Sequence, residues 1–133
     1  MTVEESVYVD RLPEFVYAIV RDLERAPEWQ GSLESVDVQN GTEVRRFAGR
    51  TQEARFFILD DEAPRLFAIE SRGGPAEARA SFELQPEGDG TRVVFVLEVT
   101  LRGAARFAGR VVKLAAEREV KRSLKQLKEL AEA

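Results

Sequence analysis

The chain has 133 residues and a formal net charge of −4, and it contains neither cysteine nor histidine. The absence of both excludes disulfides, thiolate nucleophiles, histidine general bases and the usual zinc, haem and iron–sulfur ligands. Any acid–base chemistry must therefore fall to Asp, Glu, Lys, Tyr or water, and we expect no metal and no cofactor.

The length predicts a single domain spanning residues 1–133. A domain of this size buries roughly two-thirds of the surface of its unfolded chain, so it has room for one sizeable core. No apolar run is long enough to cross a bilayer. Residues 1–10 are acidic and alternate polar with apolar side chains, which differs from a signal peptide, and we expect a cytoplasmic protein.

Residues 3–32 predict one strand and two short helices. Residues 3–9 alternate apolar and polar side chains, as a half-buried strand does. Pro13 suits the first turn of a helix, and the apolar residues after it have helical spacing. A second short helix begins near Pro27, because proline tolerates a first-turn position but not a helix interior.

Six antiparallel strands account for residues 33–102. Their turns are predicted at Asn40-Gly41-Thr42, Ala48-Gly49-Arg50, residues 60–64, Gly73-Gly74 and Gly88-Asp89-Gly90. Registers that pair opposite charges set Asp37 opposite Arg45, and Arg45 opposite Glu53. The same registers define a core face made of Val36, Val38, Val44, Ala54, Phe56, Ile58, Phe67 and Ile69.

Small inward side chains mark the beginning of the sixth strand. The Gly88-Asp89-Gly90 turn predicts the cross-strand pairs Ala78 with Val99, Ala80 with Leu97, and Phe82 with Phe95. The Gly73-Gly74 turn predicts two further pairs, Ile69 with Ala78 and Phe67 with Ala80. The small end of the sixth strand should therefore lie where the last strand ends and the final helix begins.

The last thirty residues are predicted as one helix whose inward side chains grow along its length. Steps of three and four put on one face Ala105, Gly109, Val112, Ala116, Val120, Ser123, Leu127 and Leu130. The small half of this row faces the small end of the sixth strand. Two such surfaces either close backbone to backbone or enclose a cavity, and the larger neighbouring side chains favour a cavity.

Strands in sequence beside segregated helices indicate an α+β fold. Four motifs follow in order: Leu12-Pro13-Glu14-Phe15-Val16-Tyr17, Asp22 with Pro27-Glu28-Trp29, Gly90-Thr91-Arg92-Val93, and Leu124 with Leu127-Lys128 and Leu130. Together they resemble the START-like, Bet v 1-like helix-grip superfamily, which includes bacterial polyketide cyclase/dehydrase proteins. The resemblance implies a seven-stranded antiparallel curved sheet wrapped around a long C-terminal helix, with two short helices between strands 1 and 2. It also implies a cavity under that helix for a lipid, sterol, polyketide or other hydrophobic molecule.

The candidate ligand-binding residues are those expected to line this cavity: Trp29, Val36, Arg46, Gln52, Phe56, Ile58, Phe67, Ile69, Ala78, Ala80, Phe82, Phe95, Leu97, Val99, Gly109, Val112 and Ala116. The predicted register turns Arg46 inward, where its guanidinium would orient an anionic group or stabilise negative charge that develops during a cyclisation. Arg46 is thus the one catalytic candidate. The alternative leaves its head in water at the sheet edge, and Trp29 has an alternative place in the core.

Two acidic features have alternative interpretations. Glu119 flanks the inward row of the final helix and either reaches Arg46 or a ligand, or is solvated. Asp60-Asp61-Glu62 lacks the spaced ligands of a calcium loop and is interpreted as a turn.

A second apolar row on the final helix is not explained by the core. Phe107, Val111 and Leu114 face away from the inward row. Covering loops, or a dimer, membrane or gating contact, would account for them, and so would a bend of the helix near Ala115 to Arg118. From residue 104 onward there are eight basic and four acidic side chains. No aromatic stacking platform accompanies these bases, so we interpret them as a solvated face and expect no nucleic-acid partner.

The leading functional hypothesis is binding, transport or sequestration of a small hydrophobic molecule between the sheet and the final helix. One alternative is an enzyme of the polyketide cyclase/dehydratase type, assisted by Arg46. The other is an interaction module that uses the outer face of the final helix to reach a protein or a membrane.

Overall fold

A computed structural model describes residues 1–47, 49–73 and 76–133, and of Phe47 it describes the backbone only. The predicted turns at Ala48-Gly49-Arg50 and Gly73-Gly74 each contain a residue outside this description. The elements in chain order are β1 (Thr2–Val9), α1 (Pro13–Arg21), a first 3₁₀ helix (Leu23–Glu28), β2 (Leu33–Asp37), β3 (Thr42–Phe47), β4 (Arg50–Glu62), β5 (Leu66–Arg72), β6 (Ala76–Glu87), β7 (Gly90–Leu101), a second 3₁₀ helix (Gly103–Ala108) and α2 (Gly109–Glu132).

The seven strands form one antiparallel sheet in the order β1-β7-β6-β5-β4-β3-β2. The first strand forms one edge of the sheet and pairs with the last strand, β7, while β2 forms the other edge. The sheet curves around α2, and α1 and the first 3₁₀ helix lie between β1 and β2 in sequence. The predicted α+β helix-grip architecture is confirmed.

The registers around β6 are partly as predicted. The pairs Ala78 with Val99, Ala80 with Leu97 and Phe82 with Phe95 are confirmed. The β5–β6 register is shifted by two residues from the prediction, so Ala80 lies opposite Ile69 and Phe82 lies opposite Phe67. An even shift leaves every side chain on its predicted face.

The predicted register between β2 and β3 and that between β3 and β4 are each wrong by an odd number of residues. These errors exchange the two faces of β3. Arg45 lies opposite Gln52 in β4 and opposite Leu33 in β2, with a bulge between Leu33 and Ser35. Val44, predicted in the core, is therefore on the outer face. Val38 lies beyond the end of β2 and is 46% exposed.

β4 contains a second bulge, between Ile58 and Asp60, and continues into the predicted 60–64 turn as far as Glu62. Asp61 is consequently a strand residue, opposite Phe67. It forms an ion pair with Arg21 of α1 at 2.6 Å and accepts a hydrogen bond of 2.5 Å from the Tyr17 hydroxyl. These contacts hold α1 against the β4–β5 hairpin.

The final helix has two parts. Residues 103–108, predicted as the start of one long α-helix, form a 3₁₀ helix, and α2 begins at Gly109. The second half of α2 is packed in the core through Val120, Leu124, Leu127 and Ala131. Before Val120, α2 has one buried residue, Ala116. The small side chains that precede Ala116 therefore lie over a more open part of the sheet.

Aromatic rings fill the closed end of the core. Trp29 packs edge-on against Phe82 with ring centroids 5.7 Å apart, and Phe82 contacts Phe95 at 4.6 Å. The C-terminal end of α2 is held at the same end of the molecule, because the Arg11 side chain donates to the Ala131 carbonyl at 2.8 Å. This end of the domain is rigidly filled, and the opposite end is the candidate site.

Candidate functional site

The inner face of the sheet is only partly covered. Ile58 lies opposite Ile69 on this face, yet it is 50% exposed. Ile69, Ala78, Ala80 and, in β7, Leu97 are all partly exposed as well. We call this apolar surface, together with Gly109 and Val112 on the inward side of α2, the inner groove.

The helix side of the inner groove also leaves space. A β-carbon added to Gly109 would have no heavy atom within 4 Å other than those of its own neighbours and its own helix backbone. Next to it is an open depression of about 370 Å³, which we call the groove mouth, lined by Met1, Val99, Leu101, Arg106, Gly109, Arg110 and Lys113. The small side chains of α2 and β6 thus border an open groove, where the sequence predicted an enclosed cavity.

A second depression, of about 300 Å³, is unrelated to the inner groove. Glu53, Arg55 and Phe57 line it from the outer face of β4, with Arg72 and Gly73 at the adjoining strand end. Arg72 covers the ring of Phe57 at 5.0 Å, which closes part of this surface. We therefore place the candidate site in the inner groove.

A buried carboxylate and an arginine lie beside each other on the inner face of β3. The Glu43 side chain is 9% exposed and forms an ion pair with Arg45 at 3.2 Å. The Arg45 guanidinium also donates to Ser32 Oγ at 2.8 Å and to Gln30 Oε1 at 3.2 Å. Arg45 therefore ties β3 to the loop that follows the first 3₁₀ helix.

Glu119 extends this network to α2. Its Oε1 accepts hydrogen bonds from the Ser32 backbone N–H at 2.9 Å and from Ser123 Oγ at 3.2 Å. The interpretation of Glu119 as a solvated carboxylate is wrong, and its predicted reach to Arg46 is wrong too. It joins the middle of α2 to the Ser32 loop, so it bounds the groove at the filled end.

The prediction that Arg46 points inward is wrong. Arg46 lies on the outer face of β3, its side chain is 67% exposed, and it pairs with Glu34 of β2 at 2.8 Å. The one-residue error in the β3–β4 register accounts for this result, because neighbouring residues of a strand face opposite sides. Arg45 takes the inward position instead. The predicted register paired Arg45 with Asp37 and Glu53 on the outer face, so Arg45 was not among the candidate site residues.

Apart from the exposed Ile58, the other predicted ligand residues fall into two groups. Those buried in the core are Trp29, Phe56, Phe67, Phe82, Phe95, Val99 and Ala116. Those only partly buried are Val36, Gln52, Ile69, Ala78, Ala80, Leu97, Gly109 and Val112. Gln52 donates its side-chain amide to the Gly73 carbonyl. The structure thus brings Ile58, Ile69, Ala78, Ala80 and Leu97 together on one open surface.

Trp29 contributes an unusual polar atom to the core. Its side chain is 1% exposed, and Nε1 has no hydrogen-bond partner among the described residues. A buried donor without an acceptor carries a desolvation cost of about 1–3 kcal/mol. A ligand or water oxygen that reached Nε1 would remove this cost.

The side chain with the most strongly shifted acid–base equilibrium is a tyrosine of α1, away from the inner groove. Burial, and then the hydrogen bond to Asp61, raise the pKa of the Tyr17 phenol well above its usual range. The Arg21 guanidinium, followed by the Tyr17 hydroxyl, lowers the pKa of the Asp61 carboxyl. Both shifts stabilise the neutral phenol beside the carboxylate, which suits a structural bond.

Neither a metal site nor a membrane span is found in the described ranges. Residues 1–47, 49–73 and 76–133 contain no group of three or more acidic side chains arranged to hold a metal ion. Within the same residues no helix is long and apolar enough to span a bilayer.

Comparisons with known proteins agree with the fold. A family model described as polyketide cyclase / dehydrase and lipid transport matches residues 1–132. Among solved structures, TTHA0849 from Thermus thermophilus is 25% identical, with a TM-score of 0.81 over 98% of this chain and 97% of that one.

Two further structures share the fold at lower identity. A START superfamily protein from Mycobacterium smegmatis is 18% identical, with a TM-score of 0.82 over 98% of this chain and 97% of that one. The Zhui aromatase/cyclase from Streptomyces sp. R1128 is 16% identical, with a TM-score of 0.80 over 99% and 93%. No curated protein matches the chain.

Proposed function

The chain belongs to the polyketide cyclase / dehydrase and lipid transport family, and from this premise we propose that it binds a small hydrophobic molecule in the inner groove. The description of the family covers both carriers and enzymes, so the choice between them depends on the groove itself.

The exposure of Ile58 is the observation that carries the proposal. An isoleucine on the concave face of a sheet, opposite Ile69, is normally covered by the layer that packs on that face. Here it is 50% exposed, and its neighbours Ala80 and Leu97 are partly exposed. An apolar ligand would remove this surface from water at about 25 cal/mol per Å².

The charges around the groove favour binding over catalysis. Arg45 directs its donors to Ser32, Gln30 and Glu43, so its positive charge is compensated inside the protein. Arg46, the residue on which the cyclase hypothesis depended, lies on the opposite face. The body of the groove is therefore apolar and receives no uncompensated charge from β3, which suits an apolar ligand; the basic side chains Arg106, Arg110 and Lys113 lie at its mouth.

A neutral fluorescent probe tests the proposal. N-phenylnaphthylamine should bind the native protein with enhanced emission, and the single Trp29 provides a second signal. Ala80→Leu adds volume on the inner face opposite Leu97 and should weaken binding about tenfold. Native mass spectrometry of freshly purified protein should also show a retained ligand by its mass.

Ser81→Leu is the matched control, because the next residue of β6 points to the outer face. It should leave the probe affinity unchanged. Equal affinities for the native protein and for Ala80→Leu, with both folded by circular dichroism, would remove the inner groove as the binding site.

A further inference from the structure

An exposed apolar strip runs along the outer side of the second 3₁₀ helix and the start of α2. Phe107 is 86% exposed, Val111 65% and Leu114 51%, and we call these three residues the outer strip. They succeed one another at helical spacing on the side opposite the buried Ala116. None of the three joins the core cluster of buried residues.

Basic side chains flank the outer strip without any acid among them. Residues 103–116 contain no Asp or Glu, and Arg106, Arg110 and Lys113 are all exposed. None of these three cations has an ion pair within 4.0 Å in the described part of the chain. Farther along, the exposed side of α2 continues with Arg118 and Lys125.

We propose that residues 103–114 dock on an anionic lipid bilayer. Phe107, Val111 and Leu114 enter the boundary between headgroups and acyl chains, while Arg106, Arg110 and Lys113 contact the lipid phosphates. An amphipathic helix with an apolar face and basic flanks binds such surfaces through buried apolar area and electrostatic attraction together.

The same charges argue against a second copy of the chain as the occupant. A twofold dimer through the outer strip would place the strip of one copy against that of the other. Arg106, Arg110 and Lys113 of both copies would then be brought together, with no acidic side chain in residues 103–116 to offset them.

Docking in this orientation would bring the groove mouth to the membrane, because Arg106, Arg110 and Lys113 flank the outer strip and also line the groove mouth. A hydrophobic molecule would then pass between bilayer and inner groove without crossing water. This last step depends on the proposed function, whereas docking itself does not.

Co-sedimentation with lipid vesicles tests the proposal. The native protein should bind equimolar phosphatidylcholine and phosphatidylglycerol about a hundredfold more tightly than phosphatidylcholine alone, and added salt should weaken the binding. The triple variant Phe107→Ser, Val111→Ser, Leu114→Ser should lose at least tenfold in affinity for the anionic vesicles. The variant Arg106→Gln, Arg110→Gln, Lys113→Gln should lose the preference for phosphatidylglycerol.

The control variant Leu12→Ser, Phe57→Ser replaces two exposed apolar residues away from the outer strip and should bind like the native protein. Equal binding to both kinds of vesicle, or an equal loss in the control, would overturn the proposal. A native dimer in sedimentation velocity that the triple serine variant abolishes would assign the strip to a second copy. Probe affinity without vesicles should persist in the triple serine variant, so failure of docking is distinguishable from failure of the groove.

Discussion

The neighbouring residues Arg45 and Arg46 occupy opposite faces of the sheet and have different surroundings. Arg45 is bonded to three side chains, and two of them, Glu43 and Ser32, are buried. Arg46 has one exposed partner, Glu34. Removing Arg45 would leave a buried carboxylate unpaired, and this costs more than the loss of an exposed ion pair.

Arg45→Met should lower the free energy of unfolding by about 2 kcal/mol, because Glu43 and Ser32 lose a hydrogen-bonding partner. Arg46→Met should change it by less than about 0.5 kcal/mol. Urea unfolding of the two variants measures both effects. Glu43→Gln in the Arg45→Met background should restore part of the loss, and an equal effect of the two single variants would refute the assignment of the inner face.

The bond between Tyr17 and Asp61 makes stability depend on pH at the alkaline end. The pKa of the Tyr17 phenol is raised in the folded protein, so the unfolded chain loses this proton first as pH rises. The contribution of this bond to the free energy of unfolding is complete below the ordinary tyrosine pKa of about 10 and is lost progressively as pH rises above it.

Tyr17→Phe should be less stable by about 1–2 kcal/mol near neutral pH, since Asp61 loses a donor. Above about pH 10 the difference from the native protein should shrink by about 1.4 kcal/mol per pH unit. Urea unfolding of both proteins at neutral and alkaline pH measures this slope. A difference that does not change with pH would show that Tyr17 ionises equally in both states.

Among the elements, the sequence specifies the β6–β7 hairpin more completely than the β2–β3 hairpin. The two-residue turn Gly88-Asp89 leaves one register, and a positive φ of 57° at Gly88 suits that turn. The β2–β3 connection is longer, and a bulge follows Leu33. Neither a longer loop nor a bulge has a reliable sequence signal, so the faces of β3 could not be assigned.

The candidate site, like the sheet, was predicted only in part. Its apolar part, from Ile58 to Leu97, depends on strands whose register error was even or absent, and these side chains face inward as expected. Its polar part depends on β3, where Arg45 and Glu43 were missed. Opposite charges can be paired in more than one register, so pairing alone does not decide which arginine is buried.

Substitution by alanine should change the stability of the fold in opposite directions at Gly109 of α2 and at Gly90 of β7. Gly109 has helical backbone angles and space around its α-carbon, so Gly109→Ala should stabilise the fold by about 0.5 kcal/mol. A β-carbon at Gly90 would lie 2.5 Å from the Val9 carbonyl oxygen, so Gly90→Ala should destabilise it by at least about 1 kcal/mol. Thermal unfolding compares the two, and destabilisation by Gly109→Ala would show that the groove is closed at this point.

At the scale of the whole molecule, one end is filled and the other is open. Aromatic side chains and the second half of α2 close one end, while small residues and open space characterise the other. The basic segment begins at the open end, and residues 1–103 carry the excess of acidic charge. The proposed binding site thus lies at the end of the sheet and helix opposite the packed aromatic core.

The pairing of the first strand with the last has a consequence for synthesis. β1 is synthesised before the strand that pairs with it, β7. Two contacts with α2 lie near the end of β1: Lys128 donates to the Tyr8 carbonyl, and Arg11 donates to the Ala131 carbonyl. These contacts join residues about a hundred positions apart, and contacts of high sequence separation form slowly. The sheet therefore cannot be completed until β7 has been synthesised, and until then β1 has no strand to pair with.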